Sequence, residues 1–68
     1  MTDLRETIKQ GLIEHAKGHI EKHRINVEIL MQKTAGVAEH PDTLDTIEKE
    51  LRVIADYHDQ LEVLEKYF

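Results

Sequence analysis

Cysteine is absent from this chain of 68 residues, which excludes disulfides, thiolate metal sites and a cysteine nucleophile, and fits a reducing compartment. Chain breakers are scarce as well. One proline and three glycines leave room for few interruptions, so the composition is that of long helices or a coiled coil and not of a disordered chain. No apolar run of about 18 residues and no basic-then-apolar start occurs, so neither a membrane span nor a secretory leader is expected. These absences predict a soluble, cytoplasmic chain. Basic residues are the minority, nine against fourteen acidic, and a net charge of −5 argues against electrostatic binding to nucleic acid or to an anionic membrane.

What is present is 40% hydrophobic and 34% charged residues in one small domain spanning 1–68. A chain this short buries only about 60% of the surface its unfolded form exposes, so something must supplement its core. The one break in the pattern is Thr34-Ala-Gly-Val-Ala-Glu-His-Pro-Asp42. Gly36 can take the left-handed conformation that closes a helix, and Pro41 lacks the N–H that a helix interior needs. The pair reads as a stop and a start, which predicts an all-α antiparallel hairpin with helices near 3–34 and 42–67 and a loop near 35–41. Asp3 with Glu6 resembles a capping box, and Asp42 or Thr43 is placed to cap the second helix. Gly11 and Gly18 lie inside the first helix at about 1 kcal/mol each relative to alanine, yet the apolar pattern runs through them.

In the first helix a 3-4 seam runs through Ile13, Ala16, Ile20, His23, Val27, Leu30 and Thr34. In the second it runs through Leu44, Ile47, Leu51, Ile54, His58, Leu61, Glu65 and Phe68. A short loop makes the helices antiparallel neighbours, with Leu30 beside Ile47, Val27 beside Leu51 and Ala16 beside Leu61. Charge favours the pairing, since residues 2–34 carry six basic and five acidic groups and residues 39–68 carry three and nine. Asp45–Lys49, Glu48–Arg52 and Glu62–Lys66 are ordinary i,i+4 pairs on the solvated face.

Leu12 and Met31 flank the first seam, and Tyr57 and Leu64 widen the second, so the apolar stripe exceeds what one line of contact covers. Dimerisation into a four-helix bundle is the simplest cover, and a homodimer is the expected state. Its expected interface is Ile13, Ile20, His23, Val27, Leu30 and Met31 with Leu51, Ile54, Tyr57, His58, Leu61 and Leu64. Ile25 and Ile29 lie on the opposite side of the first helix, with Gly18 toward the N-terminus on that side. They are either isolated surface residues or a docking stripe for a different partner, a host or viral protein, or for a higher oligomer, where Gly18 allows close approach.

Five histidines are present, and His15, His19 and His23 recur every four residues. Imidazoles at i,i+4 project from adjacent turns and can chelate Zn²⁺, Ni²⁺ or Cu²⁺. The seam above sets His58 opposite His19, so His19, His23 and His58 form a candidate metal site, with His15 and Glu62 as outer candidates. The alternatives are a buried polar layer that fixes register and oligomer state, and plain surface histidines. The Glu-x-x-His motif of di-metal bundles is missing, as are HExxH and a Gly-rich phosphate loop, so no enzyme activity and no cofactor is expected.

The stretches Gly11-Leu-Ile-Glu-His-Ala-Lys-Gly-His-Ile-Glu-Lys-His23, Gly36-Val-Ala-Glu-His-Pro-Asp42 and Thr46-Ile-Glu-Lys-Glu-Leu51 resemble small uncharacterised proteins encoded by tailed phages of marine cyanobacteria. The resemblance covers nearly the whole chain. It implies a setting, a phage accessory protein in the cytoplasm of an infected host, and carries over no functional residue. The hairpin also resembles in its length the small four-helix-bundle dimers that bind RNA, whose basic face this chain's acidic second helix lacks. The function expected is a non-enzymatic protein–protein interaction or regulatory module; the alternative is a metal-binding or pH-responsive bundle.

Overall fold

The structure, a computed structural model, describes residues 3–34 and 41–68. It is an all-α hairpin of two packed helices, α1 (Leu4–Thr34) and α2 (Pro41–Tyr67). The loop expected near 35–41, with the Gly36 stop, lies outside the described residues except at Pro41. No helix among the described residues is long and apolar enough to cross a membrane.

The start of α1 is half of the expected capping box. Asp3 caps it, its carboxylate accepting the Arg5 N–H at 3.0 Å while its carbonyl accepts the Thr7 N–H at 3.0 Å. Glu6 does not supply the reciprocal bond; its carboxylate takes the Arg5 guanidinium at 3.4 Å. α2 begins at Pro41, which suits a first helical position because its missing N–H would have had no intrahelical partner there. Asp42 and Thr43 therefore sit inside the first turn and not at the cap, and the Asp42 carbonyl accepts the Thr46 hydroxyl at 2.8 Å. α1 runs unbroken through Gly11 and Gly18.

The line of contact in α1 is the expected one. Ala16 and Val27 are buried, and Ile13, Ile20, His23 and Leu30 are partly buried. In α2 the helix is turned by about a seventh of its circumference relative to expectation. Ile47, Ile54 and Leu61 belong to both possible seams and face α1, but the residues between them are Thr43, Glu50, Tyr57 and Leu64. Leu44 and Leu51 are exposed, 64% and 48%, and so are His58 and Glu65. The reason is chemical: His23 in the α1 seam needs an acceptor opposite it, and Glu50 provides one where Leu51 cannot. At the open end the Arg5 guanidinium donates to the Phe68 carbonyl at 2.8 Å and ties the start of α1 to the end of α2.

The hairpin is a single layer, with Cα extents of 56 × 19 × 12 Å. Among the described residues the buried hydrophobic ones are Ala16, Val27 and Ile47, too few for a self-sufficient core.

Candidate functional site

Between the helices lies a band of polar and aromatic side chains. The His23 ring N–H at Nδ1 donates to the Glu50 carboxylate, and the Asn26 side-chain amide donates to the same oxygen at 3.4 Å. Both partners of the His23–Glu50 pair are largely buried, their side chains 17% and 20% exposed. The His23 hydrogen bond holds the Glu50 carboxyl below its ordinary value of 4.5; Asn26 and the nearby Lys22 act in the same direction and burial opposes them. One turn toward the open end, the His19 ring stacks on Tyr57 with centroids 4.5 Å apart and planes 8° from parallel. His15 meets the edge of the same Tyr57 ring at 5.8 Å and lies 4.4 Å from the His19 ring. Partial burial lowers the His19 pKa from 6.5, and His15, Lys22 and His23 lower it further by repelling its proton.

The three-histidine metal site is not assembled. With α2 turned, His58 faces away from His19, is 61% exposed at its side chain, and pairs along its own helix with Glu62 at 3.0 Å. The outer candidates are likewise divided, His15 beside Tyr57 and Glu62 beside His58. Among the described residues no group of three or more His, Asp or Glu is placed to hold a metal ion. Sequence reasoning missed Glu50 and Asn26, although Glu50 lies three residues past Ile47 on the other seam those isoleucines allow.

Of the expected interface residues, Ile13, Ile20, His23, Val27, Leu30, Ile54, Tyr57, Leu61 and Leu64 lie in the α1–α2 contact, while Met31, Leu51 and His58 stay outside it, exposed. Met31, Leu44 and Leu51 share one side of the hairpin near the ends formed by residues 34 and 41. Ile25 and Ile29 are 44% and 48% exposed on the back of α1, and Gly18 lies toward the N-terminus on that back, with open space above its Cα. A larger apolar area surrounds the chain termini. Leu4, Ile8, Leu12, Val63, Tyr67 and Phe68 are each about half exposed or more there, and grooves run between Leu12, Val63 and Leu64 and between Ile8, Leu12 and Phe68.

Comparison with known proteins gives no match to a family model, to a curated protein or to a solved structure.

Proposed function

We propose that the chain is a non-enzymatic protein–protein interaction module that works as a homodimer, two hairpins forming a four-helix bundle. One observation carries the dimer. The hairpin exposes 5470 Å², about 1,000 Å² more than the roughly 4,450 Å² of a compact folded monomer of its 8.0 kDa. A stable interface removes about 800 Å² from each partner, which matches this excess. Sedimentation equilibrium at micromolar concentration should give twice the chain mass; a folded monomer would overturn the proposal.

The phage resemblance supplies a setting for such a module in the cytoplasm of an infected cell, where the outward Gly18, Ile25 and Ile29 patch would meet a host or viral protein. Replacing Ile25→Ser and Ile29→Ser together should abolish co-purification of that protein from the native cell while the dimer persists. Co-purification that survives both substitutions places the docking surface elsewhere.

A pH-responsive bundle is the second reading, favoured by the His23–Glu50–Asn26 layer and the His19–Tyr57 stack between the helices. In it, acidification loosens the hairpin from within.

A further inference from the structure

The hairpin has two long sides, and they differ. The α1–α2 seam and the helical repeat place Leu12, His19 and Asn26 of α1 with Val53, Gln60 and Tyr67 of α2 on one side. The contacts of His15 and His19 with Tyr57, and the groove joining Leu12 to Gln60 and Val63, belong to this side. Lys17, Arg24 and Met31 lie on the other side with Leu44, Leu51 and His58.

Among the described residues the second side carries or adjoins Asp3, Glu14, Glu21, Glu28, Glu48, Glu62 and Glu65, against the cations Lys17, Arg24 and Arg52, the last 3.8 Å from Glu48. Two copies meeting there would set carboxylates against carboxylates, and Glu21 is already committed to Arg24 at 2.6 Å. The first side carries fewer carboxylates, Asp42 and Asp56, with Asp59 lining the groove beside Leu12 and Val63. Its half nearest the termini is the most apolar area of the hairpin, with Leu4, Ile8 and Leu12 spaced one turn apart on α1 and Val63, Tyr67 and Phe68 on α2. Its other half carries Lys22 and Lys49.

From this distribution we infer that two copies pair across the side bearing Leu12 and Val63, with their chain termini at the same end, so that the apolar patch of one covers the apolar patch of the other. This rests on the dimeric reading above. A two-fold axis parallel to the helices brings each patch against its own copy. The opposite orientation would lay Ile8 and Leu12 on the partner's Lys22 and Lys49 region and leave the apolar surface uncovered. The surface excess of about 1,000 Å² per chain is enough for a contact of this kind, given the roughly 800 Å² per partner of ordinary interfaces.

The absence of native cysteine makes the test clean. Leu12→Cys and Leu51→Cys are each a mild change at an exposed site, one on either side of the hairpin, and each is treated with a short bismaleimide. The inference expects Leu12→Cys to become a covalent dimer and Leu51→Cys to stay a single chain. In sedimentation, Leu12→Glu should weaken dimerisation by at least about tenfold, as loss of a central interface contact does, and Leu51→Glu should leave it unchanged. A wild-type dimer that cross-links through Leu51→Cys and not Leu12→Cys keeps the dimer and overturns this face. A wild-type chain that sediments as a folded monomer defeats the dimer and this inference together.

Discussion

Glu50 is the residue on which the packing of α2 turns. It accepts hydrogen bonds from His23 and Asn26 in a largely buried position, so its loss leaves two donors without an acceptor. Glu50→Ala should cost about 1–3 kcal/mol in urea unfolding, and His58→Ala on the exposed face should cost within about 0.5 kcal/mol of nothing. Equal effects would show that the polar layer does not set the rotation of α2. Acid should act in the same place. Glu50 and His19 both have folded pKa values below their ordinary ones, so at each the unfolded chain binds more protons. The contribution of His19 is complete above pH 6.5 and is lost as pH falls through its folded value; that of Glu50 is complete above 4.5 and is lost lower still. Urea midpoints should therefore fall in two stages on acidification, the upper stage missing in His19→Gln and the lower in Glu50→Gln. A midpoint that rises as the pH drops below 6.5 would contradict this sign.

At the scale of the helices, the seam of α1 from Ile13 to Leu30 was legible in the sequence, because only one set of apolar positions fits a 3-4 repeat there. Ile47, Ile54 and Leu61 in α2 fit two seams equally. Leu44 and Leu51 favour one, Tyr57 and Leu64 the other, and hydrophobicity alone does not decide between them. The choice depends on a cross-helix hydrogen bond, His23 to Glu50, that no pattern within one helix reveals, and the misplaced His58 metal site followed from that single rotation. Helix packing makes two further predictions. Ala16 is 1% exposed in the seam between the helices, so Ala16→Leu should overpack it and cost about 1–3 kcal/mol. Gly11 and Gly18 have open space where a Cβ would sit and lie inside α1, so Gly11→Ala and Gly18→Ala should each raise stability by about 0.5–1 kcal/mol. A loss at Gly18 alone, read from the same urea midpoints, would mean that another chain packs against that position.

The whole molecule is a single layer of two helices in which, among the described residues, the buried hydrophobic ones are Ala16, Val27 and Ile47. Its length and its wide apolar stripe already pointed to a partner, whereas the side on which the partner sits emerged only once α2 was oriented. That orientation separates a face richer in carboxylates from one with fewer of them and a patch of aliphatic and aromatic side chains. The account makes stability and association one process, since a lone hairpin has too little core to persist. Thermal melts from about 1 to about 100 µM chain test this most directly, because the melting temperature of an obligate dimer rises with concentration. The account predicts a clear rise across that range, with Leu12→Glu melting lower at every concentration; a cooperative melt at one temperature throughout would contradict it.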